Sequence, residues 1–275
     1  MPPAPAPAEE QAGKPFSLTS HLLATTDPAT WQAATQAPFL RAAGEGRLPK
    51  RDLALWLAND RLYVHAYMRA VGCLLSLVDV PPVPPPGSEN GDPAVESQIV
   101  DWLCDALAGV RREERWFVDA ARRYGLELRL PGAGAKLPGL PLYERLFEAV
   151  GLAVLRGGSP PPCAWLEGGV LLWATEKCYL EAWTWARSLK GDDTSPSSYE
   201  GDADGGAARK EFIDNWSSDD FRAFVDRFRD VLDRGVREYI SGSGGEVTPE
   251  AVVVRVQSVW DAVLQAEIGF WPVVE

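Results

Sequence analysis

The segment from Leu171 to Trp185 constrains the fold most strongly, because it has helical spacing and carries a charged residue on its apolar face. It contains no Gly or Pro, and Trp173 and Trp183 fall on one helical face together with Glu176. A buried carboxyl group is destabilising unless it has a partner or a chemical role. Glu176 is therefore a candidate functional residue.

Two other predicted helices show the same anomaly. Asp60 interrupts the apolar stripe of a helix that begins near Lys50, and Glu267 interrupts the stripe of the last helix. Helix bundles build ligand sites from inward side chains of facing helices, so the three acids can converge. Each acid taken alone could equally be a structural partner. Together with the aromatic residues beside them, they predict a site for a flat heterocycle whose polar edge binds carboxylates. The aromatic residues beside the three acids are Tyr63, Trp173, Tyr179, Phe270 and Trp271.

The overall pattern predicts an all-α fold. No stretch alternates convincingly between apolar and polar residues, and the helical stripes imply one core, so we expect a single-domain helical bundle over residues 17–275. A Pro/Ala-rich tail at 1–16 is predicted to be disordered. The Pro-rich segment 80–92 and the Gly/Asp/Ser-rich segment 190–208 are predicted to be mobile insertions, and we assign no structure to the second.

Local signals predict where several helices begin and end. Asp27-Pro28 opens a short helix that should stop near Gly44, and Asp92-Pro93 opens a long helix that ends at Gly125. Ser217 is the expected N-cap of a later helix. Glu113 and Glu114 are placed on the solvated side of the long helix.

Composition excludes several classes of protein. The formal net charge of −12 argues against nucleic acid or an anionic membrane surface as partner. No apolar run is long enough to span a bilayer, and the N-terminus lacks the pattern of a signal peptide. Four cysteines without a Cys-x-x-Cys pair predict a reduced cytoplasmic protein with no structural zinc. The two histidines, His21 and His65, do not form Glu-x-x-His pairs, so we expect no metal or haem cofactor.

Three stretches, taken together and in order, resemble the TenA family of thiaminase-II-like proteins. They are Pro38-Phe39 through Gly44-Glu45-Gly46-Arg47-Leu48-Pro49 to Asp60-Arg61-Leu62-Tyr63, Phe212 to Ser218, and Glu267-Ile268-Gly269-Phe270-Trp271. The resemblance implies a haem-oxygenase-like all-α fold without haem. It also implies hydrolysis of aminopyrimidines from thiamin breakdown, which salvages hydroxymethylpyrimidine.

The resemblance also implies roles for individual residues. Asp60 would hold the amino group and ring nitrogen of the pyrimidine, and Glu267 would be the acid/base near the leaving amine. Tyr63, Tyr143 and Trp216 would line the pocket. A symmetric homo-oligomer, a dimer or a tetramer, is the implied assembly.

The central helix departs from the best-known branch of that family, which carries a nucleophilic Cys in a Leu-Pro-Cys segment. Here it reads Trp-Ala-Thr-Glu-Lys-Cys-Tyr, similar to the branch that has Glu instead and is associated with formylated and free aminomethylpyrimidines. Glu176 would then position or activate the attacking water, and Cys163 and Cys178 would be structural. The alternative is a non-catalytic pyrimidine-binding or scaffold protein with the same fold.

Overall fold

The computed structural model of the chain describes residues 15–82, 93–130, 132–155, 162–191 and 199–274, and within these ranges it contains helices and no β-strand. Residues 1–14 of the predicted tail (1–16), residues 83–92 of the first predicted insertion (80–92) and residues 192–198 of the second (190–208) lie outside these ranges. The helices are α1 (Leu18–Thr25), α2 (Pro28–Thr35), α3 (Pro38–Gly44), α4 (Lys50–Leu75), α5 (Val95–Tyr124), α6 (Gly139–Leu155), α7 (Leu166–Ser188), α8 (Ile213–Trp216), α9 (Asp219–Gly242) and α10 (Pro249–Ile268).

Helix α7 lies at the centre of the bundle. It contacts α10, α9, α8, α4 and the two short helices α2 and α3, while α4 packs against α5 and α6 on the other side. Its apolar residues are buried almost throughout, from Leu166 to Ala186. The predicted organising role of the Leu171–Trp185 segment is therefore confirmed. No helix in the described ranges is long and apolar enough to cross a membrane.

Several predicted helix ends are confirmed. The Asp27 side chain accepts a hydrogen bond from the amide of Thr30, with Pro28 in the first turn of α2. Helix α5 ends at Gly125, whose φ of 66° lies in the left-handed region that glycine adopts without strain. Thr248 caps α10 in the same way as Asp27 caps α2.

Three predictions about local structure are wrong. The helix from Pro28 does not continue to Gly44, because Pro38 starts a new helix and cannot sit in a helix interior. The N-cap of α9 is Ser218 and not Ser217, since the Ser218 side chain accepts from the amide of Phe221. Within the segment 190–208, residues from Tyr199 onward form ordered turns, in which the buried Asp204 carboxylate accepts hydrogen bonds from the amides of Gly206 and Ala208.

The start of α6 and the end of α10 meet backbone to backbone. The amide of Gly139 donates a 2.8 Å hydrogen bond to the carbonyl of Gly269. A β-carbon built on Gly139 would lie 2.1 Å from the carbonyl oxygen of Ala266, so only glycine permits this approach. The contact fixes the relative position of two helices that both supply residues to the candidate site.

Candidate functional site

Three acids from three helices surround one small internal cavity. Asp60 comes from α4, Glu113 from α5 and Glu176 from α7. The cavity has a volume of about 40 Å³, which is room for on the order of three water molecules. Its lining carries no Lys, Arg or His side chain. The lining residues are Asp60, Tyr63, Val64, Tyr67, Val110, Glu113, Glu176, Tyr179 and Phe221.

Asp60 is buried without a partner. Its side chain borders the cavity, its exposed fraction is 4%, and it makes no hydrogen bond to any other described residue. Burial raises its pKa well above the usual range, and the negative charges of Glu113, Glu267 and Glu176 raise it further. An unpaired buried carboxyl group is costly, so its persistence here favours a ligand-binding role.

Glu113 belongs to the site, so its placement on the solvated side of α5 is wrong. The Trp216 Nε1–H donates a hydrogen bond to Glu113 Oε1, and Oε2 has no partner among the described residues. Burial raises the pKa of Glu113 to about 7, and the hydrogen bond from Trp216 acts in the opposite direction. The signal was available in the sequence, because Glu113 stands between Val110 and Phe117 at helical spacing, as Asp60 does in α4.

The prediction that the neighbouring Glu114 faces solvent is also wrong, because its side chain is buried. Its carboxylate is bound by Arg61 at 3.1 Å, by His65 at 2.8 Å and by Arg111. Burial alone would raise the pKa of Glu114, but hydrogen bonds from His65 and Arg61 outweigh it and the pKa is lowered. The cluster joins α4 to α5 immediately beside Asp60 and Glu113.

Glu176 faces the cavity from the central helix. Burial raises its pKa to about 8, and the charge of Glu113 adds to the shift. The nearby Tyr67 hydroxyl moderates this shift, although it makes no hydrogen bond of standard geometry to the carboxyl group. The raised pKa favours the neutral form of Glu176 in the empty cavity, and a cation bound beside it would favour the carboxylate.

Glu267 lies behind the cavity and not on its wall. The hydroxyl of Tyr143 donates a hydrogen bond to Glu267 Oε2, and burial raises the pKa of Glu267 to about 8. The Tyr143 ring meets Tyr63 edge to face, with ring centroids 4.9 Å apart. Phe270 packs against both tyrosines, at 5.7 and 5.6 Å. These rings separate Glu267 from the cavity that Asp60 and Glu176 border.

The remaining predicted site residues lie at different distances from the cavity. Tyr179 borders the cavity, and Trp216 borders a wider cleft outside it. Trp173 lies elsewhere in the core, where its ring stacks on Trp260 at 5.6 Å. Trp173 and Glu176 do lie on one face of α7, as the helical spacing predicts. That face is wide, however, so Trp173 packs toward α10 and does not border the cavity.

The outer cleft leads to the cavity. It lies between α5, α8 and α9 and has a volume of about 580 Å³. Four residues border both spaces: Val110, Glu113, Glu176 and Phe221. Phe221 stands in the first turn of α9. The cleft and the cavity therefore adjoin along this shared wall.

Among the residues that the structure describes, no cysteine borders the cavity. Cys163 is half-buried before α7, and burial raises the pKa of its thiol to about 11. Cys178 is fully buried, and burial together with the charge of Glu267 raises the pKa of its thiol. Both settings disfavour a thiolate nucleophile. Within the described ranges, no group of His, Cys, Asp or Glu side chains is arranged to hold a metal ion.

Comparison with solved structures shows the same fold in TenA homologues. A TenA homologue from Pyrococcus furiosus superposes with a TM-score of 0.61 at 18% identity, covering 92% of this chain and 98% of that one. A TenA family transcription regulator from Silicibacter sp. TM1040 gives 0.63 at 17% identity, covering 92% and 94%. A TenA homologue from P. horikoshii gives 0.62 at 15% identity, covering 93% and 97%. The predicted TenA-like, all-α fold is confirmed.

No family model matches the sequence. A curated relative from Fusarium pseudograminearum (strain CS3096), named a probable transcription factor, is 28% identical over 276 residues. The match covers 91% of this chain and 51% of that protein. The chain thus spans about half the length of the curated relative that it matches.

Proposed function

We propose that the protein hydrolyses aminomethylpyrimidines, free or N-formylated, to hydroxymethylpyrimidine, a salvage reaction for products of thiamin breakdown. The observation that carries the proposal is the unpaired, buried Asp60 in an aromatic cavity that also contains Glu176. The TenA-like fold supports a role of this kind.

Binding follows from the shape and polarity of the cavity. A 4-aminopyrimidine presents an exocyclic amino group next to a ring nitrogen, and a carboxyl group can pair with both atoms. Asp60 borders the cavity with its carboxyl group, which accepts no hydrogen bond from a donor among the described residues. The rings of Tyr63 and Tyr179 cover the sides of the cavity and suit a flat heterocycle.

The chemistry is a substitution at the aminomethyl carbon. The oxygen of water forms a bond to this carbon while the C–N bond breaks, and ammonia leaves with the electron pair of that bond. The proton lost by water passes to the Glu176 carboxylate, so an ammonium substrate gives the neutral alcohol and ammonia. With the N-formyl substrate, water attacks the formyl carbon and releases formate and the free amine.

Glu267 has a supporting part in this proposal. The Tyr143 and Tyr63 rings stand between it and the cavity, so Glu267 acts through the hydrogen bond from Tyr143. Glu267 accepts the hydrogen bond of the Tyr143 hydroxyl and so orients this ring against Tyr63 at the cavity wall. The ammonium nitrogen of the substrate leaves as ammonia and needs no further proton from Glu267. The direct role of base belongs to Glu176.

The cavity must open to admit the substrate. A volume of about 40 Å³ is too small for a substituted pyrimidine, whereas the adjoining cleft of about 580 Å³ is not. Phe221 borders both spaces and belongs to the first turn of its helix, where a rotamer change disturbs little backbone. Rotation of this ring would merge the cleft with the cavity.

The experiment is a turnover assay with the purified protein. Aminomethylpyrimidine and its N-formyl derivative are supplied separately, and ammonia, formate and hydroxymethylpyrimidine are measured. We expect release of ammonia from the first substrate and of formate from the second. Tight binding of both without release of either product would overturn the enzymatic proposal.

A second candidate is a non-catalytic pyrimidine-binding protein with a regulatory role. Two printed names favour it: the Fusarium relative is named a probable transcription factor, and the Silicibacter structure a TenA family transcription regulator. The same assay separates the two candidates, since a binding protein retains its ligand unchanged. For either function we expect a cytoplasmic homo-oligomer, a dimer or a tetramer, which sedimentation equilibrium would measure.

A further inference from the structure

The acids of the site divide into two depths. Asp60 borders only the inner cavity, whereas Glu113 and Glu176 border both the cavity and the outer cleft. A heterocycle paired with Asp60 therefore directs its substituent arm toward Glu113 and Glu176. This placement of the ligand rests on the proposed function.

Charge balance within the cavity lining is incomplete. No cationic side chain lines the cavity itself. Arg112 and Arg227 line only the outer cleft, where Arg227 is bound by Asp105, and Glu114 binds Arg61 and Arg111. The remaining ionisable groups that face the cavity are the hydroxyls of Tyr63, Tyr67 and Tyr179, whose pKa values burial raises. A positive charge on the ligand would supply the counterpart that the lining of the inner cavity lacks.

Glu113 is held in a defined orientation for such a charge. Trp216 donates to one of its carboxyl oxygens, and the other oxygen has no protein partner in the part of the chain that the structure describes. Aromatic rings lie around the Glu113 carboxyl group. The ring centroids of Trp216 and Tyr179 are 5.4 Å apart, and Phe221 borders the same opening. A carboxylate together with aromatic rings is a typical environment for an ammonium group.

We propose that Glu113 is a specificity-determining residue that selects ligands with a protonated amine on the arm at the mouth of the cavity. The free aminomethylpyrimidine is the preferred ligand on this basis. The neutral N-formyl and hydroxymethyl compounds leave Glu113 without a counter-charge. Glu113 also explains how product leaves, because replacement of ammonium by a hydroxyl group removes the ion pair.

The experiment compares two pyrimidines that differ only in the arm, aminomethyl and hydroxymethyl, by isothermal titration. We expect wild type to bind the amine at least tenfold more tightly, the scale of one buried charged hydrogen bond. Glu113→Gln should remove most of that preference while leaving the affinity for the alcohol within about twofold. Glu113→Asp keeps the charge and should retain part of the preference.

The number of protons released on binding is a second measurement, and it would not change if Glu113 had only a structural role. Titrations in buffers of different ionisation heat measure the protons displaced when the ammonium group binds. We expect release at pH 7 in wild type and a smaller release in Glu113→Gln. The matched control is Asp220→Asn, which removes one charge from the same cleft without bordering the cavity.

The outcomes separate the two proposals. Binding of the amine without turnover, with the preference lost in Glu113→Gln, supports the role of Glu113 and removes the proposed hydrolase. Turnover with an unchanged preference in Glu113→Gln overturns the role of Glu113 alone. Failure of wild type to bind either pyrimidine overturns both.

Discussion

The hydroxyl of Tyr143 donates a hydrogen bond to Glu267 Oε2 and so joins α6 to α10 across 124 residues of sequence. The second oxygen, Oε1, is buried and has no partner among the described residues. A carboxyl group in this position is more stable neutral than ionised, and burial raises its pKa to about 8. The pair therefore links the ionisation of one acid to the stability of the fold.

Stability should fall as the pH rises from about 5 to about 8. Glu267 and Glu176 stay protonated in the folded state up to a pKa of about 8, whereas in the unfolded chain they ionise near 4.5. Their contribution to the free energy of unfolding is complete below the pKa of the unfolded state. It is lost as the pH rises through the pKa of the folded state. The loss is on the order of 1 kcal/mol per pH unit for each group. Urea unfolding at a series of pH values measures it.

A matched pair of variants tests the source of that pH dependence. Glu267→Gln keeps the size and the acceptor for Tyr143 but cannot ionise, so its stability should vary less with pH. Glu238→Gln, at an exposed position on α9, should retain the wild-type slope. Equal slopes for wild type and Glu267→Gln would contradict the assignment.

Asp60→Asn should weaken binding of the hydroxymethylpyrimidine product by roughly 1–3 kcal/mol. The amide can neither ionise nor pass a proton to the ring nitrogen, so the charge-assisted hydrogen bond between Asp60 and the pyrimidine is lost. Isothermal titration measures the change, and the melting temperature shows whether the fold is retained. Unchanged affinity would mean that the ligand does not pair with Asp60.

Glu176→Gln should lower turnover by about two to four orders of magnitude, the range for loss of a general base. Binding of the product should change little, because the amide fills the same space on the cavity wall. Steady-state rates with aminomethylpyrimidine, combined with product titrations, separate these two effects. A variant with normal turnover would exclude Glu176 as the base.

Alkylation of the accessible thiols should leave hydrolysis nearly intact. Cys163 is half-buried with a raised pKa, and Cys178 is fully buried, so neither provides a ready thiolate. Activity is measured before and after treatment with iodoacetamide. Inactivation of wild type but not of Cys163→Ser would instead implicate Cys163 as the nucleophile.

The sequence predicted the helices and the acids in their stripes, because helical periodicity is a local property. Asp60 and Glu176 meet at one cavity as expected, and Tyr63 and Tyr179 line it with them. The same rule applied to α5 would have found Glu113. The prediction instead placed Glu113 and Glu114 together on the solvated side.

Depth could not be predicted from periodicity. A helical stripe shows that a residue faces the core, but not which neighbour it meets there. Trp173 and Glu176 share a face of α7, yet one stacks on Trp260 and the other borders the cavity. Glu267 faces inward as expected, but the rings of Tyr143 and Tyr63 cover it, and such screening depends on side chains from distant parts of the chain.

The backbone contact between Gly139 and Gly269 lies outside the site but fixes the position of α6 along α10. Tyr143 stands one helical turn after the first glycine, and Glu267 stands two residues before the second, so their hydrogen bond inherits its geometry from two positions without side chains. A methyl group at Gly139 would act as a wedge that slides α6 along α10. A substitution at either glycine would therefore change the chemistry of the cavity, although neither glycine borders it.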